Sequence, residues 1–358
     1  MEQMTRFRAP LVVALALTVL PAAAAKGTQS ELSVRPTGAR GPLVQYDLTH
    51  ASKRFSLPAG MLSADGSRFA FVRSRKLTFY SVTGRHAYLD ARAPLRTSVE
   101  AVAPEARYVV LRSGTQARLV EGVRGRTVRK LTLPRGFTVD AVSPDGTWLY
   151  LIQHKSGQDY AVRRYDLKTG VLFDKPLVQK GADEQMAGTS AGAIQSPDGT
   201  WQFTLYVNAA HGTAFVHALA LGQSYTVCID LPGQGSAAQL RTYSLALSPD
   251  GKHLYAANPA LGVLADFSLD TFRTTVKHFP AGSAGRSASA AVSPNGRMLA
   301  FSAGSQIWLL DVPAGVVRGP YSADGDVVGL GFADARRLFA ARINGPLTAF
   351  DAATGKRD

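Results

Sequence analysis

The chain has 358 residues, 46% of them hydrophobic, and carries 40 Lys and Arg against 26 Asp and Glu, a formal charge of +14. Its single cysteine, Cys228, excludes an intrachain disulfide, so stability must come from burial. The charge favours anionic partners such as acidic glycopolymers, phospholipid headgroups or nucleic acid, and no stretch after the first residues is long and uncharged enough for a membrane helix.

The N-terminus has the pattern of an export signal. Arg6 and Arg8 precede an apolar run from Ala9 to Leu20, and Ala23-Ala24-Ala25 offers the small residues of a cleavage site after Ala25. The run is too short to span a bilayer, and no cysteine follows it to take a lipid. Residues 1–25 are therefore expected to be a signal peptide, and the mature protein a soluble, secreted or cell-envelope one. Residues 26–42, rich in Gly, Pro, Ser and charge, are expected to form a flexible lead, with residues 43–358 as one domain.

Within that domain a phrase repeats. Ser143-Pro144-Asp145-Gly146 returns at Ser196-Pro197-Asp198-Gly199 and Ser248-Pro249-Asp250-Gly251, and with one change at Ser293-Pro294-Asn295-Gly296. Looser copies at Ser63-Ala64-Asp65-Gly66, Ala103-Pro104-Glu105-Ala106 and Ala333-Asp334-Ala335-Arg336 bring the count to seven. Each copy joins two short apolar strands: the proline presets φ, Ser and Asp can bond nearby amides, and the glycine accepts a positive φ. A third strand ends in turns such as Asp166-Leu167-Lys168-Thr169-Gly170 and Asp351-Ala352-Ala353-Thr354-Gly355, and a fourth is visible at Thr226–Leu231 and Thr275–Phe279. Four antiparallel strands per roughly forty residues make one propeller blade.

The Ser-Pro-Asp-Gly turns, the apolar pair Leu254-Tyr255 and the strand Tyr165-Asp166-Leu167-Lys168-Thr169-Gly170 resemble the bacterial propellers of the WD40-like, YVTN and TolB-like superfamily. Segments such as Phe215-Val216-His217-Ala218-Leu219 also resemble exported actinobacterial propellers. The resemblance implies an all-β fold: a seven-bladed β-propeller of four-stranded antiparallel blades, with the N-terminal residues Leu43–Leu57 completing the last blade to close the ring. An eight-bladed ring, with those residues in a separate blade, is the alternative. The superfamily holds scaffolds, lactonases and ligand sensors, so it does not imply one activity.

By the same resemblance the repeated turns occupy one face, and the loops between blades surround the channel mouth on the other. Seven positions before its turn each of three blades carries an arginine, Arg96, Arg241 and Arg286, and Arg135 lies one step from the equivalent place. Together they are the expected anion-binding set, since guanidinium groups grip carboxylate or phosphate bidentately. Loops expected on that face add His154, His211 and Arg342. Longer spacings at residues 180–188 and 233–239 mark insertions there.

Chemical motifs are weak. Glu100 and Asp140, each three positions before its turn, could pair as acid and base, but the equivalent Leu245 and Ala290 are apolar, which favours a buried structural pair. Gly188-Thr189-Ser190-Ala191-Gly192 matches a nucleophile pattern that needs a strand-to-helix elbow, where strand-to-strand is expected. The histidines lack metal-ligand spacing, and no phosphate-cradling glycine loop is present. The expectation is a monomeric binding or scaffold protein without metal or cofactor, engaging a protein partner or an anionic envelope polymer. Nucleic acid has only charge behind it. The alternative is a lactonase-like hydrolase using the same face.

Overall fold

The computed structural model describes residues 30–36, 40–177, 186–283, 285, 287–343 and 345–358. The expected signal peptide lies outside these residues. The chain folds as an all-β seven-bladed propeller, its antiparallel strands forming seven sheets, five of them four-stranded. The innermost strands are the end of Ser52–Leu62, then Ser98–Val102, Phe137–Val142, Thr189–Gln195, Ser244–Leu247, Ala288–Val292 and Val327–Phe332, for blades one to seven.

The repeated turn is built as its composition requires. Ser143 Oγ donates to Asp145 Oδ1 at 2.6 Å and accepts from the Trp148 amide at 2.8 Å, while Thr147 N donates to Asp145 at 3.0 Å. The same set recurs at Ser196 with Asp198, Ser248 with Asp250 and Ser293 with Asn295. Gly146 sits at φ 71°, and a Cβ there would also strike the Tyr108 ring at 2.7 Å. The turns touch across blades, for Glu105 N donates to Asp65 Oδ1 and Gly199 lies against Pro104. They form one ring on one face.

Blades adhere through apolar residues between neighbouring sheets. Between blades four and five, Phe203, Val216, Leu240 and Leu254 are fully buried, and between five and six Tyr255 and Leu264 pack in one cluster with Phe301 and Trp308. Each such side chain contributes roughly 1.5–3 kcal/mol of burial.

The N-terminus departs from expectation in two ways. Part of the anticipated flexible lead is a strand, Glu31–Val34, because the alternation of Leu32 and Val34 with polar neighbours buries those two side chains. It pairs with Pro42–Asp47, which pairs with the first half of Ser52–Leu62, giving the first sheet six strands. Charge pins this hairpin: Glu31 accepts from Arg54 at 2.9 Å, Arg85 at 3.0 Å and Gln45 at 3.0 Å. Second, Leu43–Leu57 forms no ladder with the last blade among the described residues. The chain's own tail takes that edge, Asp351 N donating to Lys356 O at 2.8 Å and Asp358 N to Ala349 O at 3.1 Å. The N-terminal segment meets the last blade by packing, with Leu32 against Gly331 and Val34 against Gly329.

Candidate functional site

The innermost strands enclose a channel with two adjoining cavities, of about 700 and 540 Å³, which share Arg35 and Ala191–Ile194 in their walls. The N-terminal segment places Arg35 and Arg40 here.

The larger cavity is bordered by blades one to four and contains both carboxylates noted in the sequence, Glu100 and Asp140. Both stand where an inner strand breaks its ladder. The ladder of Ser98–Val102 shifts register between Val99 and Ala101, and that of Phe137–Val142 between Val139 and Ala141. Each bulge leaves one residue unpaired, and those residues are Glu100 and Asp140. The corresponding strands Ser244–Leu247 and Ala288–Val292 pair without a break, and there Leu245 and Ala290 stand in place of the acids and line the smaller cavity, so this position faces the channel with or without a bulge.

Each acid is held differently. Buried Glu100 accepts from Ser98 Oγ at 2.6 Å and lies 2.7 Å from the Arg40 guanidinium. Asp140 accepts from Gln202 Nε2 at 2.7 Å, and Gln202 in turn accepts from Gln195 at 2.8 Å. Burial pushes the Asp140 carboxyl up to about 7 against the opposing pull of Gln202 and Arg40. Behind it the Tyr160 and Tyr206 rings stack at 4.4 Å, and Tyr206 meets the edge of buried His217. Burial pushes the His217 imidazole down to about 4, and its Nε2 has no hydrogen-bond partner.

The smaller cavity differs in chemistry. Its polar wall is Arg35, Arg241, Ser33, Ser244, Ser287 and Ser289, and among the described residues no Asp or Glu lines it. Ser287 Oγ is buried without a partner. Arg241 owes its place to the second insertion, which is a one-turn helix, Ala237–Leu240. A capping box between Ser236 and Gln239 starts it and fully buried Leu240 anchors it, leaving Arg241 exposed at the channel rim.

Of the four expected arginines, Arg241 alone borders a described cavity. Arg96 and Arg135 are exposed in the turns that lead into their inner strands, Arg96 at φ 51°, and Arg286 lies outside the described residues. His154 lines the larger cavity and contacts Thr138 at 2.9 Å. Most of the first insertion, residues 180–185 of 180–188, lies outside the described residues. Thr189–Gln195 runs into a second strand rather than a helix, so Ser190 lacks an elbow. No group of three metal-ligating side chains occurs among the described residues. Sequence reasoning missed Arg35 and Arg40; the alternating Glu31-Leu32-Ser33-Val34 was the available signal.

No protein-family model matches the chain, and no curated protein matches it in sequence. Solved structures do. The chain is similar to the dihydro-heme d1 dehydrogenase NirN in complex with DHE, at 15% identity and a TM-score of 0.57 over 92% of this chain and 72% of that one. It is similar to BamB from Moraxella catarrhalis at 14% identity, TM-score 0.48, over 90% and 98%. Kuenenia stuttgartiensis hydrazine synthase gives 14% identity, TM-score 0.49, over 82% and 94%. At such identities the likeness is one of fold.

Proposed function

We propose that this propeller is an exported, monomeric binding protein that takes an anionic ligand, an acidic envelope polymer or an acidic surface of a protein partner, at its channel mouth. The observation that carries the reading is the smaller cavity, where Arg35 and Arg241 face serine hydroxyls with no carboxylate among the described residues of the wall. Guanidinium groups and hydroxyls are all donors to an incoming carboxylate or phosphate. Arg96 and Arg135, exposed on the same approaches, extend the field that draws the ligand in. Chemistry on the ligand is not required.

One observation favours the hydrolytic alternative: Glu100 and Asp140 share the larger cavity in unlike environments, the arrangement from which acid and base roles arise. The Arg40 contact and the Gln202 bond give both acids structural employment, which supports binding over catalysis.

The test is retention of the purified chain on immobilised alginate, a polyuronate, over a rising salt series. Wild type should elute late at low salt, and Arg241→Gln and Arg96→Gln/Arg135→Gln should elute progressively earlier. Equal retention of all variants would remove the arginines from the site. Turnover of lactone or ester substrates that is lost in Asp140→Asn would establish the alternative instead.

A further inference from the structure

The larger cavity does not fit the ligand that the smaller one fits. Its charged groups are Glu100, which has its counter-charge in Arg40, Asp140, Asp159, and Arg35, which it shares with the smaller cavity, so an anion entering there would meet carboxylates as well. The rest of the described wall is uncharged and mixed in polarity. The Gln202 amide, bonded to Gln195 and to the Asp140 carboxyl, joins three planar groups in one row, and Thr189 and Ser190 present exposed hydroxyls. Tyr160, only 3% exposed, lines the cavity with a hydroxyl that has no hydrogen-bond partner. Room is assured on the fourth-blade side, where a Cβ added at Gly192 would meet nothing within 4 Å.

We infer that this half of the channel is a carbohydrate subsite, holding neutral sugar rings of the ligand while Arg35 and Arg241 take its acidic groups. A sugar offers adjacent hydroxyls that donate and accept at once, and planar amide and carboxyl groups meet such pairs two bonds at a time. A cation finds its place taken by Arg40, and an extended apolar ligand finds a wall of amides, hydroxyls and carboxyls. The cavity of about 700 Å³ lies in the size range of small-molecule sites. Glu100 and Asp140 stand at the same place before the turn on adjacent blades, each at a break in its ladder, and both line this space. The inference rests on the channel being the ligand site, but not on the ligand's charge.

The test exposes the full mature chain to a panel of neutral and uronate-bearing oligosaccharides, followed by calorimetry on the best neutral binder. Binding of at least one neutral oligosaccharide is expected, weakened about tenfold by Gln202→Leu and by Tyr160→Phe, with melting temperature as the folding control. Arg241→Gln should weaken the uronate ligands far more than the neutral one. No neutral oligosaccharide bound at millimolar concentration overturns the subsite, as does binding indifferent to both Gln202→Leu and Tyr160→Phe. Loss of polyuronate binding in Arg241→Gln with no neutral binder would retain the anion reading alone.

Discussion

The guanidinium of Arg40 lies 2.7 Å from the carboxylate of Glu100, joining the N-terminal segment to the second blade inside the channel. Glu100 is only 5% exposed, so removing its partner leaves a buried charge. Arg40→Ala should therefore destabilise by about 1–3 kcal/mol in urea unfolding, and Glu100→Gln in the same chain should recover much of that loss. Additive costs in the double variant would mean that the contact contributes nothing.

Two buried groups should oppose each other in their pH dependence. The folded Asp140 carboxyl, at about 7, stands above its ordinary 3.8, so the folded state binds the extra proton and stability falls as pH rises across that window. The folded His217 imidazole, at about 4, stands below its ordinary 6.5, so stability falls as pH drops between them. Between those limits the slopes cancel in part. Asp140→Asn should raise stability near pH 8, by on the order of 1–2 kcal/mol, and uncover the acid-side fall due to His217. Urea midpoints from about pH 4.5 to 8 decide it: a variant curve parallel to wild type would contradict the Asp140 assignment, and a variant with no fall on the acid side would contradict that of His217.

The turns act lower on the pH scale. Burial tends to raise the Asp145 carboxyl, but bonds from Ser143 and Thr147 outweigh it and hold the group below its ordinary value. Asp198 and Asp250 behave alike. Their stabilisation is present above the ordinary carboxylate range and is lost as pH falls below it. Asp145→Asn should cost under about 1 kcal/mol at neutral pH, since Asn295 already does this work by accepting from Ser293 and the Arg297 amide. Ser143→Ala, which strips the bond to the Trp148 amide, should cost about 1–2 kcal/mol. Thermal unfolding that ranks Asp145→Asn as the worse of the pair would refute this account of the turn.

Arg241 depends on the residue before it. Leu240 is fully buried beneath the one-turn helix, so Leu240→Ala should cost about 2–5 kcal/mol and loosen the rim. If Arg241 needs that anchor, polyuronate retention should fall in Leu240→Ala although no charge has changed. Unaltered retention would show that the rim arginine works without the helix.

The blades were legible because the turn phrase states its geometry in four residues, and Gly146 at positive φ is required wherever it recurs. The ends were not. The tail Gly355–Asp358 is only four residues and carries no strand pattern, yet two backbone bonds suffice to cap an edge. Arg35 and Arg40 were hidden because their neighbours are Gly, Pro and charge, the composition of a linker, while Leu32 and Val34 dock them against glycines some three hundred residues away. Glu100 and Asp140 were visible as a possible pair, but not their separate partners, since Arg40 and Gln202 reach them from segments distant in the chain. Arg241 was found by counting back from a turn; the helix that holds it was not.

The central claim is that Arg35 and Arg241 receive an acidic ligand in the channel. Calorimetry of a defined oligouronate with wild type and with Arg35→Gln/Arg241→Gln, each at two salt concentrations, tests it most directly. Wild-type affinity should fall as salt rises, and the double variant should bind at least about tenfold more weakly with a flatter salt dependence. Equal affinity and equal salt dependence in the two proteins would contradict it.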